Sequence, residues 1–123
     1  MTLFLMRDPT KGEWKEHEIQ AYCIQELRRG GYFCEGDQNA AKRSYGAAAR
    51  AKACGMLAGS PDIRIYCKGG KLYLIELKKL NGIVSETQFE WHRNAYALGF
   101  SINIVRADVP QEALDQIRKI ITP

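Results

Sequence analysis

Gly59-Ser60-Pro61-Asp62-Ile63-Arg64-Ile65-Tyr66-Cys67, then Lys68-Gly69-Gly70, then Lys71-Leu72-Tyr73-Leu74-Ile75-Glu76-Leu77-Lys78 is the stretch on which the reading of this chain turns. Two short runs rich in β-branched and aromatic residues flank a glycine turn, which is the pattern of a β-hairpin. Side chains alternate faces along a strand. Glu76 and Lys78 therefore share a face with Leu72 and Leu74, while Tyr73, Ile75 and Leu77 point the other way. Both faces are largely apolar, so the second strand is predicted to be central and covered on both sides. Asp62, Glu76 and Lys78 remain as charges at the base of the hairpin. They are out of place in a hairpin that only packs a core, and in place at a metal site.

The register decides whether Asp62 joins Glu76. A two-residue Gly69-Gly70 turn would pair Cys67 with Leu72 and turn Asp62 to the wrong face. A three-residue Lys68-Gly69-Gly70 loop pairs Cys67 with Lys71 and sets Asp62 opposite Glu76. Such loops commonly carry a left-handed residue, which either glycine can supply. The sequence therefore predicts the three-residue loop or an equivalent bulge. Two carboxylates converging there, with no Cys or His nearby in sequence, suit a hard cation, Mg²⁺ or Mn²⁺. The backbone carbonyl of Leu77 lies between them and could be another ligand. Lys78, on the same face, can orient a water and stabilise a pentavalent phosphorus. The chemistry permitted is metal-dependent phosphodiester hydrolysis. Each piece alone is a weak signal, since Glu-x-Lys and Pro-Asp are common; their joint occurrence on one hairpin carries the reading.

The chain has 123 residues, 46% of them apolar, which predicts a single globular domain over residues 1–123 with one core. No apolar run approaches a membrane span, and Met1 to Asp8 is too short and too soon charged for a signal peptide, so a cytoplasmic protein is expected. Cys23, Cys34, Cys54 and Cys67 form no C-x-x-C pair and no zinc-like spacing with His17 or His92. Small buried thiols are the favoured reading and a zinc site the runner-up. The net charge of +4 is a mild hint of a polyanionic partner. Its distribution says more: no acidic residue occurs from Ala40 to Pro61, while Lys42, Arg43, Arg50 and Lys52 do. With Lys79 they are the candidate nucleic-acid contacts, on a phosphate-gripping flap; the plain alternative is a solvated face.

Around the hairpin, a helix is expected from about Trp14 to Arg29, with Ile19, Tyr22, Cys23 and Leu27 at helical spacing and Gly30-Gly31 as its stop. Glu16, Glu18 and Gln20 near its start either complement the helix dipole or point a carboxylate at the Asp62/Glu76 cluster. Leu3, Phe4, Leu5 and Met6 could add an edge strand or pack on a partner. Tyr32–Glu35 reads as a short strand, and Ala40–Leu57 as a partly helical loop. Ser85 and Gln88 form a capping-box pattern opening a helix to about Leu98, whose Trp91, Ala95 and Leu98 form an apolar stripe assigned to the core. Gln88 either caps that helix or faces the site. Phe100–Arg106 is a strand. A last helix begins at Asp108 or Pro110, with Ala113, Leu114, Ile117, Ile120 and Ile121 as its buried face. This order implies an α/β sandwich, a small mixed central sheet flanked by helices.

Pro61-Asp62 followed by Glu76-Leu77-Lys78 resembles the PD-(D/E)XK nuclease signature. The wider pattern is similar to the VRR-NUC (virus-type replication-repair nuclease) domain. Its pieces are Glu18-Ile19-Gln20, Ala53-Cys54-Gly55-Met56 leading to Gly59-Ser60-Pro61-Asp62, Ser85-Glu86-Thr87-Gln88 with Trp91, and Gly99-Phe100 before a strand. The resemblance spans about Glu16 to Arg106 and implies a restriction-endonuclease-like fold. It implies Asp62 and Glu76 as metal ligands, Lys78 as the catalytic lysine, Glu18 as the helix-borne acid (through water or directly, with Glu16 as the alternative) and Gln88 lining the site. Stand-alone domains of this kind resemble archaeal Holliday-junction resolvases, implying a homodimeric endonuclease on branched DNA. The alternatives are a monomeric flap or end-processing nuclease and an inert DNA-binding module.

Overall fold

Cys67 pairs with Lys71, and the ladder runs from there to Ile63 opposite Ile75. The connection is the three residues Lys68–Gly70, wound as one 3₁₀ turn. Gly69 and Gly70 both take positive φ, at 79° and 74°, a region closed to most side chains. The glycine pair thus sets the hairpin register, and the register sets which residues meet at its base.

The computed structural model describes residues 7–37 and 45–122. Lys42, Arg43 and the run Leu3–Met6 lie outside the described residues. The elements are α1 (Glu16–Arg29), β1 (Phe33–Gly36), α2 (Tyr45–Ala53), β2 (Ile63–Cys67), β3 (Lys71–Lys78), α3 (Glu86–Ala97), β4 (Ile102–Arg106) and α4 (Pro110–Ile121). The sheet order is β1-β2-β3-β4. β1–β2 and β2–β3 are antiparallel, and β3–β4 is parallel. The sheet is therefore mixed and flanked by helices, as the sequence predicts, with β3 central and hydrogen-bonded on both sides.

One face of the sheet presents Ile63, Ile65, Ile75, Leu77 and Val105 to α1 and α4. Helix α1 contributes Ile19, Cys23 and Leu27, and α4 contributes Ala113, Leu114, Ile117 and Ile121, all buried. These recur at helical spacing, so each helix turns one stripe to the sheet. Burying each such Leu or Ile side chain is worth about 1.5–3 kcal/mol, and this layer is the core. Pro110 opens α4 at its first turn, where its fixed φ suits the helix and its missing N–H is no loss.

The opposite face, with Leu72, Leu74, Glu76 and Lys78, is covered more thinly. Helix α3 lies over it, yet none of its residues is fully buried. The core assignment of Trp91, Ala95 and Leu98 is therefore corrected. They line an open groove with Leu57, Leu72, Leu74 and Phe100, and Leu98 is 79% exposed. The stripe faces the sheet, but no further element closes over it among the described residues. Trp14 is corrected in the other sense: it precedes α1 and is buried. Its indole N–H donates to the Lys11 carbonyl at 3.0 Å, and the Arg7 guanidinium sits 3.7 Å above its ring, a cation–π contact.

Candidate active site

Strand β2 begins one residue after Asp62, at which the chain bends. The Asp62 N–H still donates to the Ile75 carbonyl at 3.0 Å. Its carboxylate accepts from the Leu77 N–H at 2.7 Å. A side chain here replaces the backbone acceptor that β2 does not supply. The Leu77 carbonyl lies on the same edge as its N–H. In the extended register it would face Pro61, which has no N–H to give. Pro61 thus offers that carbonyl no ladder donor.

Glu76 is fully buried and Asp62 is 5% exposed. The two carboxyls lie close enough to share a proton. Burial, then the charge of Asp62, pushes the Glu76 pKa up to about 9. Burial likewise raises Asp62, against the pull of the Leu77 N–H and of Lys78. Two acidic groups held together out of water repel when ionised, and a cation between them relieves this. Gln88 Nε2 donates to Glu76 Oε2 at 2.9 Å. Gln88 Oε1 accepts from the Ser85 N–H at 3.0 Å while Ser85 Oγ caps the Gln88 N–H. Both sequence readings of Gln88 hold together: it caps α3 and reaches the site. Lys78 sits within the electrostatic reach of Glu16, Asp62 and Glu76.

Among the described residues no three His, Cys, Asp or Glu side chains converge tightly enough to hold a metal by themselves. Two carboxylates and a backbone carbonyl fit Mg²⁺ or Mn²⁺, which retain waters and take further oxygens from a phosphate. They do not fit structural zinc, and the four thiols are scattered and free.

No protein-family model matches the sequence, and no curated protein matches it. Solved structures do. A VRR_NUC domain protein aligns over 89% of this chain and 90% of its own, with TM-score 0.67 and 20% identity. A second, a VRR_NUC domain, aligns over 86% and 92%, with TM-score 0.55 and 20% identity. The chain has the VRR-NUC fold. At that identity the likeness resides in the backbone, so the side chains of this VRR-NUC fold are read from their own geometry.

That geometry corrects the helix-borne acid. Glu18 does not turn to the cluster: its Oε1 accepts from the Lys15 N–H at 2.8 Å and its Oε2 pairs with Arg7 at 3.2 Å. Helix α1 starts at Glu16 rather than Trp14. This makes Glu18 the third helical residue, where a glutamate reaches back to cap its own helix. Glu16 instead lies within electrostatic reach of the cluster, its carboxyl raised by burial and by Asp62 and pulled down by Lys78. Gln20 on the next turn donates to the carbonyls of Asp37 and Asp62 at 2.8 and 3.2 Å, clamping the start of β2.

Of the candidate DNA contacts, Arg50 and Lys52 project from α2 into solvent. Lys79 is corrected. Its Nζ donates to the Trp14 carbonyl at 2.6 Å and pairs with Asp108 at 3.8 Å, so it ties the lead-in to the end of β4. The residue that sequence reasoning missed is His92, whose Nε2 lies 3.4 Å from Glu76 Oε1. Its signal was the spacing from Gln88: residues four apart share a helix face.

Gly59 packs the loop before β2 against the first turn of α3. Its φ is +90°, and a Cβ there would lie 2.6 Å from the Thr87 carbonyl oxygen, which is backbone. Gly59→Ala meets both a left-handed conformation and an overpacked contact, together about 2–5 kcal/mol. The expected result in urea denaturation is a loss of stability of that order. A variant as stable as the parent would contradict the close packing of this loop on α3.

Proposed function

We propose that this protein is a metal-dependent nuclease that hydrolyses DNA phosphodiester bonds, a Mg²⁺- or Mn²⁺-dependent endodeoxyribonuclease acting as a homodimer on Holliday junctions. The observation that carries the reading is the buried, mutually contacting Asp62–Glu76 pair with Lys78 beside it. The VRR-NUC fold supports it. Asp62, Glu76 and the Leu77 carbonyl would hold the cation, which supplies an activated water and neutralises charge on the phosphate. Lys78 places an ammonium where negative charge develops on the phosphoryl oxygens. Glu16, rather than Glu18, is the helix-borne carboxylate that orients water from the α1 side. Gln88 holds Glu76, and Arg50 and Lys52 grip the phosphate backbone.

Symmetric cutting of a four-way junction needs two nicks and so two sites related by a two-fold axis. The exposed Phe89, Tyr96 and Ile104 along α3 and the edge strand β4 supply apolar surface that favours self-association. With a labelled junction and Mn²⁺, paired symmetric nicks are expected from a protein that sediments as a dimer, with none in EDTA or with Glu76→Ala. One-sided trimming of strand ends would replace this reading with flap processing by a monomer. Binding without cutting would leave a DNA-binding module.

The α2 contacts have their own signature. Each phosphate contact contributes about 0.9 to the slope of log affinity against log salt. Arg50→Ala with Lys52→Ala is therefore expected to flatten that slope by about 1.8 and weaken all sequences alike. An unchanged slope in fluorescence anisotropy titrations would take α2 off the DNA.

A further inference from the structure

We propose that His92 is a positioning residue for the metal site. It holds the second oxygen of Glu76 and thereby presents the carboxylate in the plane a cation needs. The proposal rests on the metal-site reading above.

Glu76 projects from the middle of a buried strand, and its terminal torsion is soft. Two side chains from one helix contact it, Gln88 as a donor and His92 as a donor in the tautomer that carries the Nε2 proton. Gln88 takes Oε2 at 2.9 Å and His92 approaches Oε1 at 3.4 Å. The donors are four residues apart on α3, so one helix face delivers both. An ionised carboxylate offers about four lone-pair sites. One donor on each oxygen leaves a lone pair on each, so Glu76 can still coordinate. Removing a hydrogen-bond partner of a ligating carboxylate typically costs metal affinity.

The competing role for His92 is packing, since its ring also borders a groove lined by Val84, Ile102 and Ile104. Two features favour positioning. The His92 side chain is 14% exposed, so with Gln88 it turns inward toward Glu76 rather than to solvent. Its inward contact is with a polar atom of a fully buried acid.

The test measures Mn²⁺ binding to the full chain by isothermal titration calorimetry, with thermal unfolding of the metal-free protein alongside. His92→Leu keeps apolar bulk and loses the donor; His92→Ala removes the same donor without adding bulk; His92→Gln restores an N–H at similar reach. His92→Leu and His92→Ala are expected to bind Mn²⁺ about 10- to 100-fold more weakly. His92→Gln is expected to stay within about threefold of the parent, as a replaced donor should. Parent-like affinity in His92→Leu or His92→Ala, or a His92→Gln as weak as either, overturns the proposal. A parent protein that binds no Mn²⁺ overturns the metal-site reading itself, which keeps the two failures distinct.

Discussion

Glu76→Gln is expected to lower cleavage by about 10³-fold or more while raising the melting temperature of the metal-free protein. The loss follows from the ion. A bound cation supplies several kcal/mol of charge stabilisation at a phosphoryl group, and each 1.36 kcal/mol is a factor of ten. The gain follows from burial. Glu76 is fully buried against Asp62, and both burial and that neighbour resist its ionisation. The amide has the same shape and removes the like-charge conflict; its oxygen can accept from Gln88, and its NH2 then meets His92 Nε2, which accepts in the Nδ1–H tautomer. Opposite signs in activity and stability are the mark of a functional strain rather than a structural glutamate. Turnover on a junction substrate and thermal unfolding in EDTA are the two measurements. A variant that loses both together would make Glu76 a structural residue.

Between about pH 7 and 9 the metal-free protein is expected to lose stability as pH rises, and saturating Mn²⁺ is expected to reverse the trend. In the unfolded chain Glu76 releases its proton near 4.5, whereas the folded protein keeps it to about 9. The folded state therefore binds more protons across that interval. Stability present below the unfolded pKa is lost as pH climbs toward the folded one. One proton corresponds to a slope of up to about 1.4 kcal/mol per pH unit. His92 acts in the opposite direction, since burial, then Lys78, lowers its pKa, but its effect ends near its unfolded value of 6.5. This is why the window opens near pH 7. Mn²⁺ needs both carboxylates ionised, so its affinity and its stabilisation grow with pH. Denaturant midpoints taken in EDTA and in Mn²⁺ test both halves. A flat metal-free profile would mean that Glu76 is already ionised at neutral pH.

Local pattern exposed the hairpin and its register, because a glycine pair permits left-handed turn residues and strand alternation then assigns every face. The order of elements was legible for the same reason: each is bounded by glycine, proline or a capping residue. Three points needed the fold. Trp14 is buried from a loop ahead of α1, and Glu18, the acid that the resemblance implied, is taken up in capping its own helix. An apolar stripe shows that α3 has a side to hide without showing whether anything covers it, so Trp91 and Leu98 were placed too deep. His92 acquires meaning only once α3 is known to lie over Glu76, a contact sixteen residues away in sequence.

The bond from the Leu77 N–H to the Asp62 carboxylate gives that aspartate a second employment, as the last stitch of the sheet. Asp62→Ala would silence the site and also leave a buried N–H without a partner, an added cost of about 1–3 kcal/mol. An inactive Asp62→Ala protein would thus confound a missing ligand with a loosened strand end. Glu76→Gln carries no such double lesion, which makes it the variant of choice for trapping an uncut DNA complex.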